Sequence, residues 1–299
     1  MSILRRVTDF VLQNRLSAMG LAFVLAYVPY LGLSIIIAAF VTLRKGPYEG
    51  GLVFLAATFP VLLMYFSHQA DGAALGWLIL SVASNVIIWF FAILLYRYEN
   101  WGFLLDCAIL IGVVFIGLLH FVYPDIQNFW STRLTEYLDR VVDSGNAEGI
   151  TLENKQQIID VSRYAGGLLT AFILLNGILQ LILARWWQGL MFNPGGLRKE
   201  LYNIRLSHVV GILFIIFFVL SYLDNPIAID IMPIIYLLFA VSGLSLMHYM
   251  LAPRKYSWLW LLIMYAVAIR FLPQSGLLIA FVAFMDIWFN FRSRVARPI

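Results

Sequence analysis

Of the 299 residues, 62% are apolar and only 12% carry charge, far from the roughly quarter-charged content of a soluble domain, so the composition excludes a water-soluble globular protein. The net charge of +4 does not amount to a nucleic-acid surface, because the basic residues stand singly or in twos and threes between apolar runs, as membrane anchors do. The single cysteine, Cys107, excludes an internal disulfide, a CxxC redox motif and a cysteine-cluster metal site.

The chain opens with Arg5, Arg6, Asp9 and Arg15 ahead of the first apolar run and lacks the small-residue cleavage pattern of a secretory signal, so this segment is read as retained. Its apolar positions, Ile3, Val7, Phe10, Val11 and Leu12, predict a short helix lying on the membrane surface. A spanning helix needs about 20 apolar residues to cross about 30 Å of hydrocarbon. Windows that meet or approach this run from Ser17 to Leu43, Tyr48 to Phe66, Ala74 to Tyr96, Gly102 to Tyr123, Tyr164 to Ala184, Leu206 to Leu223, Ile227 to Leu251, Ser257 to Leu272 and Gln274 to Phe291. The expectation is an all-α polytopic bundle of about eight to ten membrane segments, forming one integral domain over residues 1–299.

Lysine and arginine are retained on the cytoplasmic side, which orients the chain. Counting back from Arg292, Arg294 and Arg297, the Pro273 turn goes outside, Arg254 and Lys255 inside, the Asp224-Asn225-Pro226 turn outside and residues 185–205 inside. Residues 124–162 then lie outside, and fifteen of the twenty basic residues share the cytoplasmic side with the C-terminus. A single crossing from Ser17 to Leu43 would put Arg5, Arg6 and Arg15 opposite Arg44, so the first window must return to its own side. Pro29 sits in its middle, where a helix loses a hydrogen bond and breaks. The prediction is a hairpin or re-entrant pair, Leu16 to Val28 and Leu31 to Leu43. Small residues at Ala18, Ala22 and Ala26 repeat every four positions, a spacing that lets another helix approach closely.

The outer loop, Tyr123 to Arg163, holds seven acids and four bases. Ile126, Trp130, Leu134, Tyr137, Leu138, Val141 and Val142 recur at helical spacing, and Thr151 reads as the N-cap of a second helix, so 124–162 is expected to form an extracytoplasmic helical hairpin. Within the spans, ionisable groups are costly and face a partner or a cavity. Asp106, His208, His248 and Asp286 all fall at the inner end, where with Arg185 they form either one acid and base network or a set of separate helix-holding pairs. They lack metal-ligand spacing, and no metal or cofactor is expected. Deeper, Asn85, Asn176 and Gln180 either line a substrate cavity or hydrogen-bond between helices; the last two share a helix face. Arg270, alone near the outer end of its span, either reaches out to water or closes a pocket on an anionic ligand.

The most distinctive stretch is RWWQGLMFNPGGLRKEL, beginning at Arg185. Trp186 and Trp187 suit the headgroup region, Asn193-Pro194-Gly195-Gly196 makes a turn, and the basic helix that follows, with Arg198, suits anionic lipid. This segment, the Pro-interrupted first window ending in Thr42-Leu43-Arg44-Lys45-Gly46, and the closing Asp286-Ile287-Trp288-Phe289-Asn290-Phe291-Arg292 resemble the YybS-like family of bacterial multi-pass membrane proteins over the whole chain. The resemblance implies a bacterial inner-membrane location and a distant similarity to the substrate-binding S components of energy-coupling-factor importers, which capture vitamins or metal ions. In those components alanines at four-residue spacing on the first helix contact a coupling subunit, the pattern of Ala18, Ala22 and Ala26.

No nucleophile elbow, phosphate loop or HExxH motif is present, and no catalytic residue is assigned. The leading expectation is a small-solute transport or substrate-binding membrane component whose partners are the bilayer and other membrane proteins meeting the small-residue face, with no nucleic acid. The alternatives are a scaffold in envelope assembly and an intramembrane enzyme acting on a lipid-linked substrate.

Overall fold

The computed structural model of the chain describes residues 2–28, 32–67, 72–143, 152–272 and 274–294. The fold is all-α, 89% helical with no strand among the described residues. In chain order the helices are α1 (Ser2–Gln13), α2 (Arg15–Leu25), α3 (Leu33–Lys45), α4 (Pro47–Ser67), α5 (Gly72–Tyr98), α6 (Trp101–Val122) and α7 (Ile126–Asp143). They continue as α8 (Leu152–Val161), α9 (Ala165–Phe192), α10 (Gly196–Tyr202), α11 (His208–Tyr222), α12 (Pro226–Leu251), α13 (Ser257–Arg270) and α14 (Gln274–Phe289). Short 3₁₀ turns cover Ser162–Tyr164 and Phe291–Arg294. Pro29, Thr151, Pro273 and Arg297, each given a role from the sequence, lie outside the described residues.

Among the described residues five helical stretches are long and apolar enough to cross a membrane: Pro47–Ser67, Ala74–Tyr98, Trp101–Val122, Lys155–Phe192 and Pro226–Leu251. The other expected windows hold shorter helices. α11, α13 and α14 have 15, 14 and 16 residues, about 21–24 Å of rise, short of the roughly 30 Å of hydrocarbon. Local chemistry trims them: Ser207 is extended (φ −80°, ψ 163°), so the 206–223 window becomes helical only at His208.

The chain divides into two compact units, residues Met1–Leu104 with Ile173–Asn203, and residues Leu105–Phe172 with Ile204–Ile299. Of the three divisions, two fall inside long helices, α6 and α9, where no loop marks them, and the third lies between α10 and α11.

In the first unit the Ser17–Leu43 window is two helices. α2 is 11 residues and α3 is 13, about 16 and 20 Å long, too short to span singly. Asn14 caps α2, its side chain accepting from Leu16 N. Lys45 Nζ, at the end of α3, donates to Leu12 O at 2.7 Å, and Arg15 pairs with Glu49 at 3.1 Å. The end of α3 and the start of α4 therefore lie beside the start of α2, and the α2–α3 pair returns to the end from which it sets out. α2 packs on α3 and α4, with Ala18 and Ala22 1% and 0% exposed. The close approach that their spacing permits is thus made by this chain's own helices. α3 and α4 also meet closely, since a Cβ on Gly50 would run into Thr42.

In the second unit α12 packs against α11 and α14. The Asp224-Asn225-Pro226 turn starts α12 cleanly. Asn225 Oδ1 accepts from Ala228 N at 3.0 Å, and Pro226 occupies the first helical position, where its missing N–H costs nothing. Segment 124–162 contributes α7 and α8, linked by Lys155 Nζ to Asp139 at 2.5 Å.

Candidate functional site

A cavity of about 660 Å³ opens in the first unit, between the end of α2, the start of α3, the last turns of α4, the first half of α5 and the middle of α9. Val61, one of its wall residues, stands twelve residues beyond Glu49 on α4, about 18 Å along the axis from the Arg15–Glu49 end. Asn85, Asn176 and Gln180 all line it, with Ser34, Ser81 and Ser84. Asn85 Nδ2 donates to Thr58 Oγ1 on α4 at 3.3 Å, and Gln180 Nε2 donates to Asn176 Oδ1 at 3.2 Å. Gln180 Oε1 is buried and has no hydrogen-bond partner among the described residues.

Two glycines make this arrangement possible. Gly32 holds a left-handed conformation (φ +56°), and a Cβ there would lie 2.8 Å from Gln180 Nε2. Gly177, next to Asn176, faces α5, where a Cβ would stand 3.2 Å from Ile87. Trp77 and Tyr65 add aromatic wall, and among the described residues none that line the cavity is Asp, Glu, Lys, Arg or His. A chamber of amides and hydroxyls with apolar walls suits a solute that hydrogen-bonds and carries no net charge, because a charge would be desolvated there without a counter-charge. Arg270 does not line this cavity; it ends α13 in the other unit, its guanidinium over Phe271 at 5.6 Å.

The opposite end of the first unit is closed by the Arg185 segment. Arg185 makes a two-pronged pair with Glu200 (Nη2 to Oε1 2.6 Å, Nε to Oε2 3.0 Å), and Trp101 Nε1 donates to the same carboxylate at 3.1 Å. Burial alone would raise the Glu200 carboxyl. The hydrogen bonds from Arg185 and Trp101 and the Arg185 charge outweigh it and hold the group below the usual carboxylate range. Trp187 stacks on Phe40 (4.3 Å between centroids) and donates to Thr8 Oγ1 at 2.8 Å, while Gln188 Nε2 donates to Leu43 O at 3.0 Å. Trp186 is half exposed. The Asn193–Gly196 turn closes with Gly196 N donating to Asn193 O, Gly195 is left-handed (φ +83°), and Arg198 donates to Tyr202 OH at 2.8 Å. These bonds join α1, α3, α9 and α10.

In the second unit Asp106, His208, His248 and Asp286 each have a separate partner. Asp106 accepts from Ser207 N at 3.2 Å, and the neighbouring His208 ring meets Trp288 edge-on at 5.2 Å. His248 bonds Leu244 O at 2.8 Å and Tyr265 OH at 3.3 Å. Asp286, 2% exposed, pairs with Arg292, whose Nη2 donates to Ile204 O at 2.7 Å. Arg205 then donates to the carbonyls of Asp286 and Ile287. The geometry is that of clamps on helix ends, not of one shared network. Among the described residues no three His, Cys, Asp or Glu side chains are grouped to hold a metal ion.

Sequence reasoning passed over a buried pair, His120 with Asp230 (Nε2 to Oδ2 3.3 Å), 6% and 1% exposed. Gly167 N donates to Asp230 Oδ1 at 2.6 Å, and a Cβ on Gly167 would collide with the Asp230 carbonyl. Each residue stands within a turn or so of a helix end, where it reads as interfacial. The signal available was the Gly166-Gly167 pair, which lets α9 come close to a carboxylate on α12.

No family model, no curated protein and no solved structure matches this chain.

Proposed function

We propose that the chain is a multi-pass membrane protein whose first-unit cavity binds an uncharged small solute, as the binding or transport component of a membrane system. The observation that carries this reading is the convergence of Asn85, Asn176 and Gln180, from α5 and α9, on one cavity of about 660 Å³, with Gln180 Oε1 buried and without a donor among the described residues. A buried unpaired acceptor costs about 1–3 kcal/mol, which a solute N–H or O–H would recover. The volume lies within the roughly 300–1,000 Å³ of small-molecule sites. Membership of the YybS-like family belongs to the same proposal, resting on the Arg185–Leu201 segment. So does the orientation: a bacterial cytoplasmic membrane, with the C-terminus and residues 185–205 inside, residues 124–162 outside and the cavity open on the non-cytoplasmic side.

Thermal stabilisation of the purified protein across a panel of uncharged and charged solutes tests the reading. At least one uncharged, hydrogen-bonding solute raises the melting temperature, and charged analogues of the same size do not. Stabilisation by charged solutes alone, or by none, overturns it.

A further inference from the structure

A second cavity, about 450 Å³, lies between α7, α8 and the first turns of α9, within the second unit. Its walls are mostly hydrocarbon, with Leu134, Ile158 and Leu168 among them. Two residues with polar groups, Trp130 and Ser162, stand among them. Trp130 Nε1 and Ser162 Oγ are buried with no hydrogen-bond partner among the described residues; Ser162 is 4% exposed. An indole N–H only donates and a hydroxyl can also donate, so what the pair lacks is an acceptor oxygen. Leaving both unsatisfied is costly, and buried polar groups are ordinarily paired. Arg133, also lining the cavity, has a side chain 65% exposed that rests over Phe129 at 5.5 Å and meets Glu136 at 3.4 Å, putting a cation at the rim. The cavity also adjoins the start of α9, part of a stretch long enough to span a membrane, the level at which lipid carbonyl groups lie.

We propose that this cavity holds one fatty-acyl chain, whose carboxyl or ester oxygen accepts hydrogen bonds from Trp130 Nε1 and Ser162 Oγ while the hydrocarbon lies along Leu134, Ile158 and Leu168. The hairpin thus serves as an acyl-binding site separate from the solute cavity. Nothing in this assignment depends on which solute the first unit takes, or on which side of the membrane the hairpin lies.

Photo-crosslinking tests it. The full-length protein in detergent is irradiated with palmitic acid carrying a mid-chain diazirine and, in a parallel arm, with phosphatidylglycerol bearing the same chain, and the labelled peptides are mapped by mass spectrometry. Label concentrates on Leu134, Ile158 and Leu168 in one arm or both. Labelling by the fatty acid alone assigns a carboxylate, and labelling by the phospholipid assigns an ester. The Trp130→Phe/Ser162→Ala double variant removes both donors and leaves the walls apolar, and the concentration needed for half-maximal labelling rises about tenfold. Leu134→Trp, which puts an indole into the cavity, sharply reduces label at Ile158 and Leu168, with unchanged melting temperatures of this variant and the double variant controlling for folding. No label at these residues in either arm, or label that neither substitution alters, overturns the proposal.

Discussion

Gly32 and Gln180 occupy positions that exclude a side chain on the first: the Gln180 amide lies 2.8 Å from where a Gly32 Cβ would be, at a backbone φ of +56°. Gly32→Ala therefore strains the backbone, at about 1–3 kcal/mol, and displaces the amide from the cavity. Solute binding falls and so does the melting temperature. Because the two residues touch, Gly32→Ala in a Gln180→Ala background costs less stability than in the wild type. A double-mutant cycle of melting curves reads this directly, and equal costs in both backgrounds would remove the contact from the account.

Asp230 accepts from both Gly167 N and His120. Asp230→Leu strands two buried groups, at about 1–3 kcal/mol each, whereas Asp230→Asn keeps an oxygen for Gly167 N and is milder. Melting temperatures of the purified variants rank them, with wild type above Asn and Asn above Leu.

The Asp286–Arg292 pair, 2% and 9% exposed at the side chain, is a buried ion pair held to Ile204 O and Ser245. Removing either partner leaves a lone buried charge, so Arg292→Met or Asp286→Leu destabilises by about 3–5 kcal/mol, and the double replacement by much less than the sum. Expression level together with denaturation of the surviving protein checks this.

Glu200 sets an acid limit on the Arg185 junction. Its carboxyl is held below the usual carboxylate range when folded, so the pair contributes its full stability above the ordinary carboxylate pKa of about 4.3 and loses it as pH falls through the lower folded value. The melting temperature of the wild type drops on acidification through that window. Glu200→Gln starts lower at neutral pH and shows a shallower decline.

Legibility in the sequence differed from residue to residue, for physical reasons. Polar side chains deep in apolar helices stand out, so Asn85, Asn176 and Gln180 could be picked out, and four-residue spacing put the last two on one face. Their meeting in one cavity depends on Gly32 and Gly177, whose role shows only when helices are set side by side. Trp186 and Trp187 both read as headgroup anchors, yet adjacent helical residues point about 100° apart. One is half exposed and the other stacks on Phe40. The depth of Asp106, His208, His248 and Asp286 follows from topology, but their partners do not, because Ser207, Trp288, Tyr265 and Arg292 are chosen by packing. Hydropathy registers apolar length and not helix length, which is why five stretches reach spanning length while the 206–223 window starts its helix late, after Ser207, and the 17–43 window ends its first helix at Leu25.

The central claim is that solute enters the Asn85–Asn176–Gln180 cavity from the non-cytoplasmic side. Ser84, in its wall, is replaced by cysteine in a Cys107→Ser background, and modification by a membrane-impermeant maleimide is followed in intact cells with and without the stabilising uncharged solute. The account predicts labelling from outside that the solute slows. Labelling only after the cells are permeabilised, or at a rate indifferent to the solute, would contradict it.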